Sequence, residues 1–172
     1  MIISMVAAMA EGRALGNGIK LPWPRMASDM KRFHDSIDGR TVIMGRRSYD
    51  SLPIELPWRT MVVLAQEEYE PKYPRSIVAR SIEEALELAQ DDLRANGEED
   101  GAVMVAGGAS IYEQFLPHAD RMELTFIKGT FEADRFFPAW NESEWREVSR
   151  QDFDADEKNP YPYTFVTLER IQ

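Results

Sequence analysis

The sequence predicts an α/β domain: a mostly parallel sheet with helices on both faces and an antiparallel hairpin at its C-terminal edge. Three observations carry this. Apolar runs rich in Val, Ile and Met alternate along the chain with amphipathic stretches. The early runs are apolar at nearly every position, as strands covered on both faces must be. The last two runs alternate apolar with polar residues and are joined by D-A-D-E-K-N-P-Y-P, a turn-rich link that suits a hairpin.

The first strand spans 2–9, and no positive charge precedes its apolar residues, so it reads as core rather than as a secretory leader. A Gly- and Pro-punctuated loop then leads into a helix over 27–37. Further strands are expected at 41–45, 60–65, 76–79, 102–106 and 121–127, with the final pair near 145–153 and 163–170. A short helix follows Arg47, with Ser48 as its cap. The helix over 81–95 opens on Ser81 and Glu84, the spacing of a capping box, and Ala85, Leu86, Leu88, Ala89 and Leu93 form its buried stripe. A last helix over 109–116 stops at Pro117. No repeat or linker interrupts the chain, so residues 1–172 are expected to form a single domain.

Composition narrows the function. A formal net charge of −10 argues against binding to nucleic acid or anionic membrane, and no apolar run reaches the length of a spanning helix. The absence of cysteine removes disulfides and thiol chemistry. The two histidines, His34 and His118, lie in no ligand-spaced motif, so no metal site is expected. A cytoplasmic monomer is the expectation.

Four segments offer chemistry. In the first, L-G-N-G-I-K-L-P-W-P-R-M-A-S-D-M-K-R-F, Asp29 falls in the first turn of a helix, with Phe33 one turn on along the same face and Met30 beside it. Burial of that face would set one carboxylate against apolar and aromatic walls. Such a group keeps its proton more readily and can hydrogen-bond a polar heterocycle. A solvated acid at a helix N-terminus would read the same way.

In the second and third, a strand ends in glycine and turns directly into a helix. T-V-I-M-G-R-R-S presents Gly45, Arg46, Arg47 and Ser48, and A-V-M-V-A-G-G-A-S-I-Y presents Gly107 and Gly108. Glycine lets a ligand approach the backbone, helix N–H groups face phosphate oxygens, and guanidinium forks match phosphate geometry. Two anion sites beyond the carboxyl ends of parallel strands suggest a dinucleotide with an additional phosphate, such as NADPH. Tight structural turns would use the same glycines, and the arginine pair could instead offset neighbouring acids.

The fourth segment, L-P-I-E-L-P-W-R, holds Leu52, Leu56 and Arg59 in a proline-stiffened loop. This suits a ligand with an apolar middle and a terminal carboxylate, or alternatively a surface ion pair. Thr125, inside the apolar run L-T-F-I, needs a hydrogen-bond partner, and Asp29 is a candidate. Tyr112 is either an aromatic lid or plain core.

Together, in order and spacing, these segments resemble dihydrofolate reductase over nearly the whole chain. I-S-M-V-A-A-M-A, L-P-W followed by the acid, V-I-M-G-R, G-G-A-S-I-Y, L-T-F-I, A-D-R-F-F-P at 133–138 and the D-A-D-E-K-N-P-Y-P-Y-T-F-V-T-L-E-R ending all contribute. The resemblance implies a central eight-stranded sheet and NADPH-dependent reduction of 7,8-dihydrofolate. It implies that Asp29 grips the pterin and promotes N5 protonation, with Thr125 orienting it. Val6 and Ala106 would line the pterin edge, Met30, Phe33, Leu52 and Leu56 would pack the substrate rings, and Arg59 would pair with the glutamate α-carboxylate. Ala8 and the loop carrying Leu15, Gly16 and Leu21 would cover the nicotinamide. Gly45 to Ser48, with Gly107, Gly108, Ala109, Ser110, Ile111 and Tyr112, would hold the cofactor phosphates.

The chain also departs from the family pattern. Trp23 and Asp29 are six positions apart, Ala106 is smaller than the usual residue before Gly-Gly, Ala133 stands where Gly is frequent, and Trp58 replaces a common Gly. Two rival readings are a related NADPH-dependent pyrimidine reductase of riboflavin biosynthesis and a catalytically silent nucleotide-binding domain. The placement of Asp29 separates the chain from the first, and Asp29 together with Arg59 from the second.

Overall fold

The computed structural model describes residues 1–172. Its chain order is β1 (Ile2–Met9), β2 (Ala14–Gly16), α1 (Ala27–Ile37), β3 (Thr41–Gly45), α2 (Arg46–Asp50), β4 (Thr60–Leu64), β5 (Ser76–Ala79), α3 (Ile82–Ala95), β6 (Ala102–Val105), α4 (Ala109–Phe115), β7 (Arg121–Ile127), β8 (Arg135–Phe136), β9 (Trp145–Phe153) and β10 (Tyr163–Arg170). Eight strands form one sheet in the order β5-β4-β3-β6-β1-β7-β10-β9. The strands from β5 to β7 pair in parallel, and β10 pairs antiparallel with both β7 and β9. The expected eight-stranded, mostly parallel sheet with an antiparallel edge is the sheet observed.

Strand periodicity sorts the core into two layers. Ile3, Met5, Ala7 and Met9 of β1 face a cluster with Ala85 and Ala89 of α3 and Ile111 and Phe115 of α4. Val6 faces the opposite layer, with Ile37 of α1, Met44 of β3, Tyr49 of α2 and Met104 of β6. Parallel pairing brings the ends of β1, β3 and β6 to one edge. The loop after β1 returns there before α1 begins, so the first turn of α1 sits beside the glycine turns.

Several boundaries differ from expectation. β4 stops at Leu64 and β6 at Val105. The short helix starts at Arg46, with Gly45 at its N-cap and no side-chain cap bond, so Ser48 lies inside the helix instead of capping it. Ser81 caps α3 as expected, its hydroxyl accepting from the Glu84 N–H at 3.1 Å, but the Glu84 carboxylate takes the Arg80 N–H instead of closing on Ser81. α4 ends at Phe115, and a 3₁₀ turn over Leu116–His118 takes Pro117 near its start. The two-stranded ribbon of β2 and β8 was not anticipated; segments of three and two residues are too short to show a period.

The start of α1 has a borrowed cap. Met26 occupies the N-cap position and offers no side-chain bond. The tip of the β9–β10 hairpin substitutes: the Ala27 N–H donates to the Lys158 carbonyl at 3.2 Å, and the Ser28 N–H to Asn159 Oδ1 at 2.9 Å. Asn159 is buried, and its amide returns a bond to Ser28 Oγ at 3.0 Å while Asp156 holds it from behind. Losing a cap of this kind costs about 1 kcal/mol or somewhat more. Asn159→Ala is therefore expected to lower unfolding stability by about 1–2 kcal/mol in a denaturant titration. An unchanged midpoint would show that α1 does not depend on the hairpin.

Candidate active site

Asp29 lies in the first turn of α1, where the borrowed cap fixes the backbone. Burial pushes its carboxyl above the usual carboxylate range. The Thr125 hydroxyl and then the Arg32 guanidinium pull it back, without restoring the ordinary value. Thr125 is buried on β7, directly across from Ala8 of β1. Thr125 thus acts on Asp29 in the direction of the charged acid.

Arg32 was missed. It stands three residues after Asp29, on the adjoining helical face. Its Nη1 donates to the Leu124 carbonyl at 2.6 Å and lies 3.4 Å from Thr125 Oγ1, and its guanidinium stacks over Phe165 at 4.5 Å. Burial lowers its own pKa, while Glu123 and Asp29 raise it. The spacing from Asp29 was the available signal. In a sequence this rich in charge, Arg32 reads as one more solvated side chain.

The apolar walls assemble largely as expected. Val6 and Leu56 are buried in one cluster, and Phe33, Leu52 and Ala106 pack against it. Met30 is exposed. Tyr112 is buried, and its hydroxyl donates to the Val6 carbonyl at 2.6 Å. Burial, and then the charge of Asp29, raise the pKa of that hydroxyl. Tyr112 therefore joins β1 to α4 close enough to sense the acid.

The two glycine turns abut. The Gly45 N–H donates to the Gly107 carbonyl at 2.8 Å, and the Gly107–Gly108 peptide is cis. A Cβ on Gly45 would lie 2.8 Å from Ile111 Cγ1, and one on Gly108 would lie 2.8 Å from Ser48 Oγ. A side chain at either position would force the Ile111 or Ser48 side chain to move. Neither α2 nor α4 has a side-chain N-cap, so their first N–H groups, with Ala109 and Ser110 opening α4, are left for another acceptor. This cradle fits the phosphates of a dinucleotide. Arg46 stacks over Tyr69 at 4.5 Å and lies 3.6 Å from Asp50, while Arg47 is exposed.

The loop after β1 is held by the β2–β8 ribbon and by Asp134. Leu15 and Gly16 belong to β2, and the Gly18 N–H donates to both Asp134 carboxylate oxygens, at 3.1 and 3.0 Å. Beyond the latch, Ile19 and Leu21 are exposed. Ala8 packs against the small cluster containing Trp23 and Met26. Trp58 is fully buried, its ring 6.2 Å from that of Tyr49 and 5.9 Å from that of Tyr73, so it is a core residue. Arg59 is not free: its guanidinium is held by Asp92 at 3.1 Å and Glu98 at 3.0 Å.

The comparisons with known proteins agree with this geometry. The family model described as dihydrofolate reductase matches residues 2–170. The chain is 36% identical to the dihydrofolate reductase of Staphylococcus haemolyticus over 170 residues, which cover 99% of this chain and 96% of that protein. It is 34% identical to the Bacillus subtilis (strain 168) enzyme over 169 residues, 98% of this chain and 95% of the relative. A solved structure of dihydrofolate reductase from Enterococcus faecalis, complexed with NADP(H) and RAB-propyl, superposes with a TM-score of 0.81 at 26% identity, covering 99% of this chain and 97% of that one. Fold and site thus define an oxidoreductase of the nicotinamide-dinucleotide class. Within that class, the chain belongs to the dihydrofolate reductase family, whose members depend on NADPH.

The raised pKa of Asp29 has a consequence for stability. Between its unfolded and folded pKa values the native state binds more protons, so this group's contribution to stability declines as pH rises through that window. Asp29→Asn removes the charge that burial disfavours. The variant is expected to melt at a higher temperature than the parent at neutral pH, with the difference shrinking at pH values below the ordinary carboxylate pKa. A variant that melts lower at neutral pH would show that the charged form is well satisfied.

Proposed function

We propose that the protein reduces 7,8-dihydrofolate to 5,6,7,8-tetrahydrofolate at the expense of NADPH, with Asp29 as the catalytic acid. The observation that carries this reading is a buried carboxyl, its pKa raised by burial, set beside the apolar cluster of Val6, Phe33, Leu52 and Leu56. The family and the NADP(H)-complexed relative support the substrate and cofactor.

NADPH, when bound, supplies a hydride to C6 of the pterin. The chain's own residues provide alignment, exclusion of water and a proton. Asp29 hydrogen-bonds the 2-amino and ring-N3 edge and raises the effective basicity of N5, which otherwise accepts a proton poorly. Thr125 orients the acid, and Arg32 opposes the effect of burial on it, so the carboxyl stays hydrogen-bonded without its pKa drifting without limit. The backbone of Val6 and Ala106 lines the pterin edge. Phe33, Leu52 and Leu56 pack the rings, with Met30 at the exposed rim, and Arg59 takes the α-carboxylate of the glutamate tail. Gly45 to Ser48 and Gly107 to Ser110 hold the cofactor phosphates, with Ile111 and Tyr112 buried behind them, and the Leu15–Leu21 loop closes over the nicotinamide with Ala8 beneath it.

The test is loss of NADPH absorbance with and without dihydrofolate, with NADH as the parallel donor. Dihydrofolate-dependent oxidation, weaker with NADH, is the expected result; NADPH binding without turnover would sink the assignment. Asp29→Asn is expected to slow hydride transfer at neutral pH by roughly two to four orders of magnitude while leaving NADPH affinity nearly unchanged.

The protonated acid is the working form, so the rate should fall as pH rises through the Asp29 pKa. Arg32→Met removes a charge that favours ionisation and is expected to move that inflection to higher pH. An inflection that stays in place would remove Arg32 from the mechanism. On the cofactor side, replacing Arg46 and Arg47 together by Gln is expected to cut the preference for NADPH over NADH by about tenfold or more. An unaltered preference would place the 2′-phosphate elsewhere.

A further inference from the structure

Arg59 is saturated. A guanidinium has five N–H donors, and here each has an acceptor. Nε donates to Asp92 Oδ2 at 3.3 Å; Nη1 donates to the Gly39 carbonyl at 3.3 Å and to Glu98 Oε2 at 3.0 Å; Nη2 donates to Thr41 Oγ1 at 3.1 Å and to Asp92 Oδ2 at 3.1 Å. A ligand carboxylate can reach this arginine only by displacing one of those partners.

The partners differ in how firmly they are held. Asp92 also accepts from the Thr41 hydroxyl at 2.5 Å and the Thr60 hydroxyl at 2.8 Å, and its side chain is only 17% exposed. It joins α3 to β3 and β4 and is not free to leave. The Glu98 side chain is 51% exposed and has the single bond to Arg59. Its backbone, by contrast, is fixed. Gly97 adopts a φ of +72° just past α3, and the Glu98 N–H returns to the Leu93 carbonyl at 2.8 Å, a closure that ends helices with a left-handed residue. The Gly101 N–H then donates to the Glu98 carbonyl at 2.7 Å. The end of α3 thereby presents one half-exposed, singly bonded carboxylate at a fixed point against Arg59.

We propose that Glu98 is an internal competitor for the substrate's carboxylate: it occupies Arg59 in the free enzyme and yields to the glutamate tail on binding, and so it sets the selectivity for carboxylate-bearing pterins. This rests on the reading of Arg59 as the carboxylate clamp. Of the partners a tail carboxylate can displace, Glu98 is the exposed, singly bonded acid, so on this reading dihydrofolate binding breaks the Nη1–Glu98 bond, while a dihydropterin without the tail leaves it intact. Glu98 touches neither the pterin pocket nor the cofactor cradle, so its removal acts on binding of the tail alone.

The experiment measures kcat and KM of the full-length protein for dihydrofolate and for a tail-less 7,8-dihydropterin, in the parent, Glu98→Gln and Arg59→Gln. Glu98→Gln is expected to lower KM for dihydrofolate roughly threefold, the scale of a partly exposed ion pair, with kcat and both constants for the tail-less substrate unchanged. An unchanged or raised KM for dihydrofolate overturns the proposal, as does an equal fall for both substrates. Arg59→Gln separates the two levels. A large rise in its KM for dihydrofolate, with Glu98→Gln silent, keeps the clamp and discards the competitor. No rise in Arg59→Gln discards both.

Discussion

The site depends on one helix end that cannot cap itself. α1 carries Asp29 in its first turn, and the residue at its N-cap, Met26, has no side chain able to accept an N–H. The missing acceptors come from Lys158 and Asn159, the latter separated from its Ser28 partner by 131 positions. Because β9 and β10 close the sheet edge next to β7, the hairpin that joins them reaches the same end of the molecule as the acid. The helix that carries Asp29 is therefore capped by the last strands' hairpin. An acid held by its own local sequence would need no such closure, but a Ser or Asp at Met26 would place a competing polar group among Trp23, Ile127 and Tyr163, the cluster in which Met26 is buried.

Around that helix end, the electrostatics are a balance of opposed effects. The helix N-terminus favours the ionised carboxyl, as do Thr125 and Arg32, whereas burial favours the neutral form and outweighs the bonded partners. Moving Arg32 to a fully solvated position would weaken its hold, since water would screen it. Its stacking over Phe165 and its bond to the Leu124 carbonyl keep it in the half-buried layer where one charge still matters. The same layer places the Tyr112 hydroxyl on the Val6 carbonyl, so the strand that lines the pocket is tied to the helix that opens the cofactor cradle.

Much of this was legible in the sequence, and the remainder has physical reasons for being hidden. Continuous apolar runs located most strands of the main sheet, because a strand covered on both faces leaves that pattern, and alternation located β9 and β10 at the edge. The glycine turns were legible because a missing side chain is itself a signal. Their mutual contact, Gly45 on Gly107, was not, since it depends on β3 and β6 being neighbours. Ser48 looked like a cap because serine prefers that position; the strand ends one residue before Arg46, and the helix begins there. Arg32 and Asn159 were missed for a shared reason: both are polar residues in polar surroundings, and their value comes from partners far away in sequence. Arg59 reads in the sequence as a clamp for a ligand carboxylate or as an ion pair; the ion pairs are present, and their acids lie 33 and 39 positions downstream, too far for spacing to reveal.

That last case bears on the whole surface. With 30 acidic residues and 20 basic ones, most guanidinium groups of this chain find an internal acceptor before any ligand arrives. Arg75 is bound to Glu55 and to the Trp58 carbonyl, and Arg170 to the carbonyls of Leu116 and Ala119 while it covers Trp145. An anionic ligand entering such a molecule gains little from long-range attraction, because the net field repels it. Its binding must come from short-range geometry that an internal carboxylate cannot match as well. A glycine cradle meets that condition, since no acidic side chain can approach its N–H groups as closely as a phosphate. A partly buried arginine beside a half-exposed glutamate meets it only in part. On the proposed reading of Arg59, selectivity for the tail is decided by the difference between two carboxylates competing for one guanidinium.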